Sequence, residues 1–178
     1  MKIRPEEWIR EPDEDGNGFL EGWMVSGDTE YPIPIETHNV SINDVRLGEI
    51  QDFKLILESL EKPEVYSSED EYMGGKELPC MASESVFPSG LFPPKEDDDF
   101  VMSPTIILSG RVIEIFEEPS QYGFKEGDIL FTLSCLGNEF DFVLPAEYAK
   151  DIQIRKGYIV SGFYWVQGWT DEDPGSDS

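Results

Sequence analysis

The best match between ligand-type residues and a known metal-binding spacing lies near the start of the chain, in PDEDGNGFLEGWMV. Asp13, Asp15, Asn17 and Gly18 follow the D-x-D-x-N-G opening of an EF-hand loop. Oxygen-bearing side chains at alternate positions converge on one hard cation, and the glycine supplies the sharp bend. Glu21 falls at the ninth position, from which a carboxylate reaches the ion through water. The twelfth position calls for a bidentate glutamate and holds Met24 instead. No flanking helices are evident. Asp13, Asp15, Asn17 and Glu21 are therefore a candidate Ca2+ set, and a solvated acidic turn is the preferred reading in so acidic a chain.

Other chemistry is sparse. His38 is the single histidine, so no His-rich metal site can form, and no serine or cysteine pairs with it in sequence. It reads as a structural or surface residue. Cys80 and Cys135 lack CxxC spacing and read as buried thiols. Neither G-x-x-x-x-G-K-[ST] nor G-x-G-x-x-G occurs, and there is no G-x-S-x-G elbow. Carboxylate pairs could serve as acid and base in hydrolysis. Among 38 acidic residues a chance pair is certain, so that signal selects nothing. No catalytic residue and no cofactor are assigned. Trp8, Trp23, Trp165, Trp169, Tyr158 and Tyr164 could stack on sugars or bases, but aromatics at strand positions more often build the core.

Charge narrows the partners. The 178 residues carry 38 acids against 13 lysines and arginines, a net charge of -25. Phosphate backbones are bound by basic side chains that release counterions, and this field repels nucleic acid and anionic lipid. It suits a basic protein, a cationic ligand or a metal ion. Aromatic content of 12% and hydrophobic content of 39% are those of a folded chain. No run approaches a transmembrane span, and MKIRPEEWIREPDEDG lacks the apolar core of a secretory signal, so the expected location is cytoplasmic.

The elements that would carry any site read as mostly β. Residues 1–11 fit either a helical turn or a docking arm. Asn17-Gly18 signals a turn into a strand over Phe19–Val25. The alternating prolines of YPIPI, Tyr31–Ile35, predict an edge or extended segment, because proline cannot donate to a ladder. Val40–Leu60 predicts two strands joined near Asn43-Asp44 or Gly48. Ser67, ahead of Asp70 and Glu71, can cap a short helical turn ending at Gly74-Gly75. In LPCMASESVFPSGLFPP, Phe87, Leu91 and Phe92 are unusually apolar for a loop and form a candidate lid or interaction surface. KEDDDF, Lys95–Phe100, reads as a solvated linker.

From Thr105 the pattern sharpens. A long strand spans Thr105–Phe116 with Gly110 inside it. Ile129, Phe131, Leu133 and Cys135 share one face of a second strand. Gly137-Asn138 fits a two-residue hairpin turn. Phe140, Phe142 and Leu144 alternate with Glu139 and Asp141 in a third strand. Pro145–Ile152 reads as a short helix, and Tyr158–Trp169, interrupted by Gly162, as a last long strand. The β-β-β-α-β series over 105–169 resembles the oligonucleotide/oligosaccharide-binding (OB) barrel. One strand is missing at its C-terminal end, and the segment around Phe53–Leu57 is expected to supply it. The expected organisation is a β-rich portion over 1–104 packed on an OB-like barrel over 105–170, then a disordered acidic tail over 171–178. MASESVFPSGLFPP, SPTIILSGRVIEI and SGFYWVQGW together resemble uncharacterised bacterial cytosolic proteins with such a barrel, a resemblance that implies no activity. Three functions compete: a non-catalytic module for a basic protein, immunity-like or nucleic-acid-mimic-like; a carboxylate or divalent-metal hydrolase; and a single-strand nucleic-acid or sugar binder by fold analogy.

Overall fold

A computed structural model describes residues 1–74, 82–88, 103–116 and 124–170. The described chain is mostly β, with two short helices. Its elements are β1 (Lys2–Arg10), β2 (Gly18–Ser26), β3 (Thr29–Thr37), a 3-10 turn (Ile42–Asp44), β4 (Gln51–Ser59), β5 (Glu64–Tyr66), α1 (Glu69–Gly74), β6 (Ser85–Pro88), β7 (Thr105–Phe116), β8 (Ile129–Cys135), β9 (Asn138–Leu144), α2 (Ala146–Ala149) and β10 (Ile159–Thr170). Among the described residues the strands are hydrogen-bonded in the order β5-β10-β3-β2-β1-β4-β9-β8-β7-β6, and β10 also pairs with β4 and β7. The described residues form two compact units, each discontinuous in sequence: 1–55 with 88, 103–106 and 166–170, and 56–74 with 82–87, 107–116 and 124–165.

The first unit is built on the meander β1-β2-β3. Antiparallel pairing sets Ile3 opposite Met24, Pro5 opposite Gly22 and Trp8 opposite Leu20. Leu20 in turn faces Ile35, and Gly22 faces Ile33. Ile3, Leu20, Met24, Ile33, Ile35 and Phe53 are fully buried, each worth roughly 1.5–3 kcal/mol for its apolar surface. Pro32 and Pro34 share one phase of β3, opposite Trp23 and Glu21. Among the described residues the far side of β3 meets β10 only at Glu36 and Thr37, so the prolines have no ladder partner there, as their missing N–H requires.

In the second unit, β7, β8 and β9 form an antiparallel meander, and β4 runs parallel to β9 with Leu57 beside Phe142. Phe131, Leu133, Cys135, Phe140, Phe142 and Leu144 all point into the core. Phe131 stacks on Phe142 at 5.5 Å, and Tyr164 meets Phe142 edge-on at 4.7 Å. Both arrangements suit the ring quadrupole. Gly110 lies where an added Cβ would come within 2.8 Å of the Ser134 carbonyl oxygen, so close backbone approach demands glycine there.

Three sequence expectations are corrected. Residues 1–11 are neither helix nor loose arm but the strand β1. Val40–Asp44 is not a strand: the Ser41 side chain accepts from the Asn43 amide while the Ser41 amide donates to Asp44, and this reciprocal cap favours a 3-10 turn over an extended chain. The β8–β9 turn residues are Leu136 and Gly137, because Cys135 pairs with Asn138. Both have positive φ, 51° and 78°, the signature of a type I′ turn.

Candidate functional site

The Asp13–Asn17 turn is an Asx turn. Asp13 Oδ1 accepts from the amides of Asp15 at 3.0 Å and Asn17 at 2.9 Å, and the Asp13 carbonyl accepts from Gly16. The Asn17 amide, foremost, holds the Asp13 carboxyl below the usual carboxylate range. Asn17 Oδ1 lies 3.0 Å from His38 Nδ1, which makes the single histidine a brace for this turn. Glu21 sits further along, on β2, opposite Glu7 and Pro34. Among the described residues no three or more His, Cys, Asp or Glu side chains gather to hold a metal. The structure thus gives Asp13 and Asn17 a turn-building role and does not bring Asp13, Asp15 and Glu21 into one ligand shell.

Of the apolar surface read from the sequence, Phe87 lies half-buried on β6, whereas Leu91 and Phe92 lie outside the described residues, as does Cys80. Cys135 is buried with its Sγ 3.6 Å from the Ser85 carbonyl, and burial pushes its thiol up to about 12. Among the aromatics weighed for stacking, Tyr164 is core, Trp8, Trp23, Trp165 and Tyr158 are half-buried, and Trp169 is exposed.

The second unit holds an open groove of about 360 Å³ between residues 62–71 and 151–158. Glu71 and Asp151 line it together with Lys62, Ser67, Gln153 and Tyr158. A general acid needs a raised pKa. Glu71 has the reverse: hydrogen bonds from the Ser67 hydroxyl and amide hold its carboxyl low.

A different surface emerges on the outward face of β1-β2-β3 in the first unit. Glu7 stands directly opposite Glu21 across the β1–β2 ladder, with Pro34 beyond it. The neighbouring basic residues are already engaged: Arg4 with Glu30 and Glu6, Arg10 with Glu36. Glu7 and Glu21 have no basic partner among the described residues. Partial burial raises the Glu21 pKa, and the charges of Glu7 and Glu6 raise it further. Like charges placed directly opposite destabilise a sheet, and a cation set between them would relieve the repulsion. Sequence reading missed this couple because β1 was not legible as a strand. Two register shifts, between Pro5 and Glu7 and between Trp8 and Arg10, break its alternation and leave Glu6 and Glu7 both exposed.

Comparison of the chain with protein-family models, with curated proteins and with solved structures finds no match.

Proposed function

We propose that this protein is a non-catalytic acidic module that binds a basic protein. The observation that carries the reading is the Glu7–Glu21 couple, an exposed and a half-buried carboxylate with no basic partner among the described residues, within a chain of net charge -25. A field of that sign steers a basic partner and repels nucleic acid. An immunity-like or nucleic-acid-mimic-like role fits this chemistry. The experiment is a pull-down with the full chain at about 50 mM and about 500 mM salt, because exposed charge pairs are screened at the higher value. Basic proteins retained only at low salt are the expected result, and failure to retain any at low salt defeats the reading.

We read the second unit as OB-like. Support comes from the β7-β8-β9-α2-β10 series and from the parallel ladder of Ile56–Glu58 with Asp141–Val143. That ladder suits the expectation that the segment around Phe53–Leu57 stands in for the missing fifth strand. The low carboxyl pKa of Glu71 speaks against it as the general acid of a hydrolase in the groove. The metal set Asp13, Asp15, Asn17 and Glu21 enters no step of the proposal.

A further inference from the structure

The ladder between β1 and β4 contains only Lys2–Asp52 and Ile3–Gln51. Past it, the Pro5 carbonyl accepts from the Gly48 amide, and from Glu6 to Arg10 no described strand pairs with β1 on that side. Among the described residues this is a five-residue unpaired edge. Exposed strand edges are templates for pairing, and proteins commonly blunt them with charge and bulges. β1 has both devices, yet its residues there stay accessible: Ile9 is 41% exposed, Trp8 is half-exposed, and both Glu6 and Glu7 are exposed.

We infer that the Glu6–Arg10 edge of β1 takes an extended, lysine- or arginine-rich segment of the basic partner by strand addition. The inference rests on the proposed function and assigns its contact site. Main-chain hydrogen bonds to the edge supply affinity, and alternate side chains supply selectivity. With the side-chain period of two, every second residue of the added strand falls on the face of Glu7 and Glu21, where a cation meets two carboxylates that have no basic partner among the described residues. The intervening residues fall on the face of Trp8. A second copy of this chain is the wrong occupant, because it would set Glu6 and Glu7 against their own equivalents.

The test uses the 15N-labelled full chain and an alternating lysine–valine peptide of about eight residues, a normal strand length. A matched peptide is N-methylated at alternate backbone nitrogens, which keeps the charge and removes donors. Shift changes concentrated on residues 6–10 and 21, with about tenfold weaker binding of the methylated peptide, or about 1.4 kcal/mol, are expected. Glu7→Lys/Glu21→Lys weakens the parent peptide at least as much, while Glu71→Lys/Asp151→Lys in the groove leaves it within about twofold. Equal affinity for the two peptides, shifts centred elsewhere, or a free protein that dimerises through this edge overturns the inference. The peptide comparison needs no variant, so a misfolded mutant does not blunt it. If the pull-down retains basic proteins and the peptide maps elsewhere, only the strand-addition site fails. If it retains none, the underlying function fails.

Discussion

Cys135 and Tyr164 show how burial silences reactive side chains. A thiol pushed up to about 12 by burial, with Glu84 adding to the shift, is protonated and non-nucleophilic at neutral pH. In a Cys80→Ser background, the folded protein should leave an aromatic disulfide reagent unreacted at about pH 8 and consume one equivalent only after denaturation. Tyr164 is fully buried, and its hydroxyl has no partner among the described residues. An unpaired buried hydroxyl costs about 1–3 kcal/mol, so Tyr164→Phe should raise stability by about 1 kcal/mol in urea unfolding. Burial also raises the Tyr164 pKa above its unfolded value. Stability from keeping it neutral is whole below about pH 10 and is lost as pH climbs beyond that, so Tyr164→Phe should also soften alkaline unfolding.

Strands supply the next level of argument. Glu7 and Glu21 belong to different strands and meet only through the β1–β2 register. The Glu21 pKa is raised in the fold, so its contribution is whole below the unfolded carboxyl value and is lost as pH rises through the folded one. Glu21→Gln should therefore raise the melting temperature at pH 7 and leave it unchanged near pH 3, as scanning calorimetry at the two values would show. In β7, Gly110→Ala sets a Cβ against the Ser134 carbonyl oxygen, a backbone atom that cannot swing away. A loss of about 1–3 kcal/mol is expected from denaturant titration, the usual cost of overpacking. β8 and β9 were legible as strands because Phe131, Leu133, Phe140 and Phe142 keep strict alternation, although Gly137-Asn138 pointed to a turn one residue late and so to the wrong register. β1 was not, since its bulges interrupt the period. The Ser41–Asp44 cap was also written in the chain, but hydrophobic spacing around Val40 and Ile42 pointed to a strand instead.

At the scale of the whole molecule, net charge governs behaviour before any single contact does. Twenty-five excess negative charges predict association with a basic partner whose on-rate falls steeply with ionic strength while the off-rate changes little. Stopped-flow measurement at about 20 mM and about 150 mM salt, where the screening length shortens, should show that division; an on-rate insensitive to salt would leave the charge without a role in encounter. Composition, the absence of phosphate loops and nucleophile elbows, and the strands from Thr105 onward were all decided by the sequence, because alternation and residue type act over a few neighbours. The pairing of Glu7 with Glu21, the edge at Glu6–Arg10 left unpaired among the described residues and the parallel direction of β4 beside β9 were decided by tertiary structure alone. Each depends on which distant strand becomes a neighbour, and the register between strands is set by the summed packing of both faces.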